Sequence, residues 1–292
     1  MKKQLKIVVL AKQVPDTRNV GKDAMTAEGT VNRAALPAIF NPEDLNALEA
    51  ALQLKDLTEG STVQVLTMGP LRAADVIREA MFRGADGGYL LSGREFAGAD
   101  TLATSYALSC ALKQINPDVI VAGRQAIDGD TAQVGPQVAQ KLNLPQVTYT
   151  EEILELKESS IVIKRRLENG FEVVECPIPL VMTVNGSAKE CRPKNARRVM
   201  KYKHALTKSE VAAAADSLSA QQVAEKPYLQ IVELSAADVN PDMAQLGLSG
   251  SPTKVKKIEN VVFQAKESKR LTGSDADINE LMVELIASHT LG

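Results

Sequence analysis

The residues best suited to chemistry lie together in Ala122-Gly123-Arg124-Gln125-Ala126-Ile127-Asp128-Gly129-Asp130-Thr131-Ala132-Gln133-Val134-Gly135-Pro136. This stretch sits where an apolar run ends and a helical pattern begins. Gly123 and Gly129 permit close backbone approach or positive φ. Asp130 or Thr131 can cap the following helix, whose first free N–H groups would then face the strand ends. Those groups and the helix dipole form a site for an anion such as a nucleotide phosphate. Asp128 and Asp130 would repel a phosphate if they pointed at it, so they tie the loop down or bind hydroxyls. The same pattern also makes a well-capped structural turn, and the residue types alone leave both readings open.

Other chemistries lack the residues they need. After the first apolar run stands Ala11-Lys12-Gln13-Val14-Pro15-Asp16, not Gly-x-Gly-x-x-Gly, and no Gly-x-x-x-x-Gly-Lys-Ser/Thr occurs. The ordinary NAD-dehydrogenase and P-loop readings lose their phosphate loops. His204 and His289 are the only histidines, both in the C-terminal third, which argues against a Ser-His-Asp or Cys-His triad. Cys110, Cys176 and Cys191 share no short metal-ligand spacing; their odd number suits a reduced intracellular protein.

Lys+Arg 34 against Asp+Glu 36 gives a net charge of −2. That balance lacks the positive field of a non-specific nucleic-acid binder. Aromatics at 3% with no Trp leave little on which bases could stack. No apolar run approaches the ~18–20 residues that span a bilayer. The basic, then apolar start, Met1 to Leu10, flows into Lys12 without a small-residue cleavage site. It reads as a first strand rather than a signal peptide, and the expected compartment is the cytoplasm.

The elements that must position the 122–136 stretch alternate between strand and helix. Ile7–Leu10, Thr62–Thr67, Gly88–Leu91 and Pro117–Ala122 are strand-like. Between them, Pro42–Leu57, Ala73–Phe82 and Asp100–Ile115 have helical spacing, with Asn41-Pro42 as a start signal and Asp100 as an N-cap. A further helix is expected from about Thr131 to Leu142. Such alternation implies an α/β fold, a parallel sheet with helices on both faces, and ligands in these sheets bind beyond the carboxyl ends of the strands. Past residue 150 the pattern becomes an antiparallel meander over 150–176, with a turn at Glu168-Asn169-Gly170. Pro179–Val184 can return as a core strand. Residues 1–189 are expected to form the nucleotide-binding domain. Residues 190–292 are expected to be an arm with little core of its own. The basic run at its start, 189–208, is either a solvated face or a docking surface.

Gly123 to Asp130 closely resembles the nucleotide loop of electron-transfer flavoprotein β subunits. Three more stretches agree in order and spacing: Val9 to Asp16, Asn41-Pro42-Glu43-Asp44, and Met68-Gly69-Pro70. The resemblance covers residues 4–190 and extends weakly to Gly250-Ser251-Pro252-Thr253. It implies a Rossmann-like domain with nucleotide contacts at Leu10, at Asn41, Pro42, Glu43 and Asp44, at Met68, and from Gly123 through Arg124, Gln125, Ala126, Ile127, Asp128, Gly129, Asp130, Thr131, Ala132 and Gln133 to Val134. It also implies a heterodimer with an α subunit, the 190–292 arm packing on it. Such a complex shuttles electrons between flavin-dependent dehydrogenases, such as acyl-CoA dehydrogenases, and acceptors, and no catalytic nucleophile or general base is expected in this chain. In aerobic-type members the pocket holds AMP; in electron-bifurcating members it holds the ADP part of a second FAD. The Asn-Pro-Glu-Asp turn and Val14-Pro15-Asp16 resemble the bifurcating branch, which would bring ferredoxin and NADH in as partners. Val134 stands where the aerobic type has a Thr, which leaves phosphate binding to backbone N–H groups.

Two rivals share this architecture. A stand-alone ATP- or AMP-binding regulator of the universal-stress type would have no need of the meander and arm. An ATP-pyrophosphatase-like enzyme would need a Ser-Gly-Gly-x-Asp-Ser-type loop after the first strand, which residues 11–16 do not supply.

Overall fold

The computed structural model describes residues 4–16, 37–214, 217–253, 268 and 270–291. Its frame is a ten-stranded sheet, and the register of its central strands follows from two-sided burial. Strand β1 (Lys6–Leu10) sends Ile7 and Val9 into one apolar cluster and Val8 and Leu10 into the other. The two faces of a strand alternate residue by residue, so a strand apolar throughout must be covered on both. Two short strands follow, β2 (Gln13–Pro15) and β3 (Ala38–Phe40), which pair antiparallel as a separate ribbon.

Helix α1 (Pro42–Asp56) leads to β4 (Thr62–Met68), then α2 (Ala74–Arg83) to β5 (Gly87–Leu91). Helix α3 (Thr101–Ile115) crosses back to β6 (Val119–Gly123), and α4 (Val134–Leu142) follows. The chain continues through β7 (Gln146–Leu156), β8 (Ser160–Leu167), β9 (Gly170–Pro177) and β10 (Leu180–Val184). Beyond them come α5 (Ala196–Tyr202), β11 (Leu206–Thr207), α6 (Lys208–Ala213), α7 (Leu218–Glu225), β12 (Gln230–Leu234) and α8 (Ala236–Val239). The sheet order is β11-β12-β5-β4-β1-β6-β10-β7-β8-β9. Every pairing from β11 to β7 is parallel, and β7-β8-β9 is antiparallel. Residues of α1 and α2 pack in one core cluster, and those of α3 and α4 in the other, on the opposite face. The α/β sheet with its inserted meander is therefore as the residue pattern implies. Chain order reverses at β1, whose neighbours are β4 and β6, and that reversal opens a crevice at the carboxyl edge.

Three expectations are corrected. The helix expected from Thr131 begins at Val134, because Asp130 and Ala132 adopt left-handed φ of 47° and 53°. No residue at 130 or 131 caps it; its N-cap position is Gln133, with no side-chain cap. The chain division falls at Met1–Lys256 and Lys257–Gly292, not at 189/190. The reason is a sheet edge. β5 would leave a row of backbone groups unpaired, and β12 covers it through Val232, Glu233 and Leu234. Leu229 and Ile231 are buried there.

The basic run also takes part in this packing. The Glu49 carboxylate, 2% exposed, accepts from the Arg192 backbone N–H at 3.0 Å and from its guanidinium at 2.9 and 3.0 Å. Burial pushes the Glu49 pKa up, but the Arg192 bonds outweigh it and hold the carboxyl below its usual range. Removing Arg192 would strand a buried charge at a cost of about 3–5 kcal/mol. Arg198 donates to the carbonyls of Met81 and Ala85 at 3.2 and 3.0 Å. The second unit contains helix α9 (Asp275–Ala287), capped by Ser274, which accepts from the Asp277 N–H. Among the described residues no helix is long and apolar enough to cross a membrane.

Candidate functional site

Three strand ends and two connections line a cavity of about 450 Å³ at the carboxyl edge. Leu10 closes β1, Met68 closes β4, and Ala122 with Gly123 closes β6. The loop from Gly123 to Val134 forms one wall, of which Arg124, Gln125, Ala126, Gly129, Asp130, Thr131, Ala132 and Gln133 line the space. Leu66, Phe96 and Leu108 make its floor apolar. Lined mostly by apolar groups with a few placed polar ones, it lies within the ~300–1,000 Å³ typical of small-molecule sites.

The Asn41–Asp44 turn was expected to touch a nucleotide, but only Asp44 of it lines the cavity. Its other side chains hold the loop from behind. The Asn41 amide donates to the Gln125 carbonyl at 2.9 Å and accepts the Ile127 N–H at 3.2 Å. Glu43 accepts from the Arg124 guanidinium at 2.8 and 3.3 Å and from the Gln125 N–H at 3.1 Å. Asp44 Oδ2 accepts the Lys12 N–H at 2.8 Å, and its Oδ1 accepts the Gly123 N–H at 3.1 Å. Pro42, at the first turn of α1, needs no hydrogen-bond partner for its nitrogen.

Burial pushes the Asp44 carboxyl up to about 7, against the pull of the Lys12 N–H, the Asn41 side chain, the Gly123 N–H and the Lys12 charge. With Glu43 paired to Arg124, this turn presents the cavity with much less negative charge than two free carboxylates would. Gly123 is required by this clamp. A Cβ there would lie 2.7 Å from the Glu43 carbonyl carbon and 2.8 Å from the Asp44 nitrogen, closer than any side chain can sit.

Ile127 and Asp128 also lie outside the lining. Both Asp128 oxygens accept from the Lys12 ammonium at 2.8 Å, and Asp130 Oδ1 accepts from the Gln125 amide at 2.9 Å. Both carboxylates tie the loop down. Gly129 differs from its expected use: a Cβ there would meet nothing within 4 Å, and its φ is not left-handed. The left-handed residues are its neighbours Asp130 and Ala132.

One wall was not anticipated. The β5–α3 connection contributes Phe96, Gly98, Ala99, Asp100, Thr101 and Thr104. Asp100 caps α3 by accepting the Ala103 N–H at 3.0 Å. Thr101 Oγ1 donates to Gln133 Oε1 at 2.7 Å, joining this wall to the residue that precedes α4. The signal was available, since a strand-to-helix junction at the carboxyl edge faces the same crevice as the β6–α4 loop.

The cavity therefore combines an apolar floor with an α4 N-terminus that no side chain caps. The profile of the electron transfer flavoprotein domain matches residues 28–215 of this chain. The chain belongs to the electron-transfer flavoprotein family. The electron transfer flavoprotein subunit beta of Megasphaera elsdenii is 43% identical over 261 residues, covering 87% of each chain. The acryloyl-CoA reductase electron transfer subunit gamma of Anaerotignum propionicum is 39% identical over 296 residues, covering 98% of this chain and 100% of its own. The caffeyl-CoA reductase-Etf complex subunit CarD of Acetobacterium woodii is 50% identical over 180 residues, 61% of this chain and 68% of its own. This is a β-type subunit of the family, involved in electron transfer.

Proposed function

We propose that the cavity binds the ADP portion of FAD, and that the chain acts with an α subunit as a flavin-based bifurcating carrier. Its electrons would come from NADH or a flavin-dependent dehydrogenase such as an acyl-CoA dehydrogenase, and ferredoxin would be one acceptor. The observation that carries the nucleotide reading is the N-terminus of α4. Gln133 provides no cap, and Pro136 has no N–H, so the N–H groups of Val134 and Gly135 are left for an external anion. Both residues line the cavity. The apolar floor suits a purine, so base and phosphate would each meet a matching surface. Bifurcation is supported by the Asn-Pro-Glu-Asp turn and by likeness to subunits named for acryloyl-CoA and caffeyl-CoA reductases. When bound, the flavin supplies the redox chemistry, while this chain's residues bind it, orient it and set its electrostatic surroundings.

Acid extraction of the purified heterodimer, followed by chromatography of the released nucleotides, tests the proposal. Close to two FAD and no AMP per heterodimer supports it. One FAD and one AMP sinks bifurcation while leaving the nucleotide site intact. No adenine nucleotide beyond that held by the α subunit sinks both.

A further inference from the structure

From Asp242 to Thr253 the chain runs back along α3, and its last residues bond to the cap of that helix. The Tyr106 hydroxyl of α3 accepts the Asp242 N–H at 2.8 Å. Leu246 is buried in the same apolar cluster as Phe96. Gly247, with a φ of 50°, turns so tightly that a Cβ there would sit 2.9 Å from the Ala97 carbonyl oxygen. Ser251 Oγ, itself buried, accepts the Asp100 N–H at 2.9 Å and donates to the Gly247 carbonyl at 2.6 Å. Thr253 then donates twice to Asp100 Oδ2, from its N–H at 3.2 Å and its hydroxyl at 2.7 Å.

Asp100 is thereby divided between two tasks. One oxygen caps α3 through Ala103, and the other receives Thr253. Partial desolvation raises its pKa, but these hydrogen bonds outweigh that and hold the carboxyl below its ordinary value. The next residue, Thr101, bonds to Gln133 immediately before the open turn of α4. A continuous series of bonds thus runs from Thr253 through Asp100 and Thr101 to the anion-facing end of the cavity.

We propose that Ser251 and Thr253 are positioning residues for the bound nucleotide: through Asp100, Thr101 and Gln133 they fix the spacing between the N-termini of α3 and α4. The proposal rests on the nucleotide reading above. It has a physical motive, because backbone N–H groups bind a phosphate only at fixed distance and angle. The bodies of α3 and α4 pack in one apolar cluster, and the Thr101–Gln133 bond joins them at their N-terminal ends.

The test uses the heterodimer carrying Thr253→Val, Ser251→Ala, Asp100→Asn or the conservative Thr253→Ser. Nucleotide release is measured by dilution, and hydrogen exchange is followed at residues 98–104 and 131–135. Thr253→Val should release adenine nucleotide about tenfold faster, as expected for loss of a charge-assisted bond. Exchange should rise at both helix ends, while the β7–β9 meander stays protected. Thr253→Ser should restore both. If Ser251→Ala unfolds the chain, Asp100→Asn remains informative: its oxygen can keep the Ala103 cap while its amide can no longer accept from Thr253. Unchanged release and unchanged exchange in Thr253→Val and Asp100→Asn would overturn the proposal. A wild-type complex holding no nucleotide in this cavity refutes the earlier reading instead, and the exchange data then judge the Thr253 link by themselves.

Discussion

Two helices begin at the same sheet edge, α1 after β3 and α4 after β6, and the protein treats their N-termini in opposite ways. The first turn of α1 carries Glu43 and Asp44, and each carboxylate is committed to backbone N–H groups of a neighbouring segment. The first turn of α4 carries no acidic residue and no side-chain cap. Neither end has a side-chain cap; the first turn of α1 carries two carboxylates turned to other segments, and that of α4 carries none. Helix N-termini are all electropositive, so a motif that shows only where a helix starts cannot tell a clamp from a site. What distinguishes them is whether acidic side chains stand in the first turn and which segments those side chains hold.

The contrast can be broken most severely at Gly123. Gly123→Val would drive a side chain into the backbone of residues 43 and 44, at a cost above the ~1–3 kcal/mol of ordinary overpacking. Urea unfolding should show the β subunit marginal or unfolded, and a variant of wild-type stability would mean that the clamp is not close-packed.

Removing one clamp charge is the next largest change. Glu43→Gln keeps one acceptor but sets an amide against the Arg124 guanidinium or the Gln125 N–H, a loss of roughly 1.5–3 kcal/mol for bonds to a charged group. The urea midpoint should fall, and Arg124 and Gln125 should exchange faster. Unchanged exchange in residues 124–127 would show that the loop holds itself.

Asp44 sharpens the comparison through pH. Its carboxyl stands at about 7 in the folded chain against an ordinary 3.8. Between those values the folded state holds the proton more tightly than the unfolded state, so this residue's contribution makes stability fall as pH rises from about 4 to about 7. Above that it levels off. Asp44→Asn should lower stability at pH 5 and remove that slope, read as urea midpoints at pH 5, 6, 7 and 8. A slope identical to wild type would assign the titration to another group.

The smallest effect is expected at the open end. A Cβ at residue 129 would meet nothing within 4 Å, so Gly129→Val should change stability by no more than about 0.5 kcal/mol. Nucleotide retention should drop a few-fold, because the valine would occupy the cavity wall. Equal retention would place the ligand away from residue 129.

Much of this was legible in the chain itself. Strand-like runs such as Ile7–Leu10 and Pro117–Ala122 admit one reading, because a strand apolar on both faces has to lie inside a sheet covered on both sides. Asp100 as the cap of α3 followed from one local bond. The misreadings have a common cause in long-range geometry. The helix after β6 starts three residues late because Asp130 and Ala132 turn left-handed, a choice residue types only weakly constrain. The stretch from 190 looked coreless because β12 is five residues long and gains its burial only beside β5.

The residues of the 122–136 loop, the four ordered motifs and the strand–helix alternation determined that a cavity would open at the carboxyl edge beside that loop and which family the chain belongs to. Hydrophobic period and helix-start chemistry are local properties, and a linear sequence states them directly. Only the tertiary structure decided that Asn41 and Glu43 grip the loop from behind, that the β5–α3 connection forms a wall, and that Thr253 reaches Asp100. Those partners lie 81 to 153 residues apart, and a hydrogen bond depends on distance and angle, which no spacing along the chain encodes.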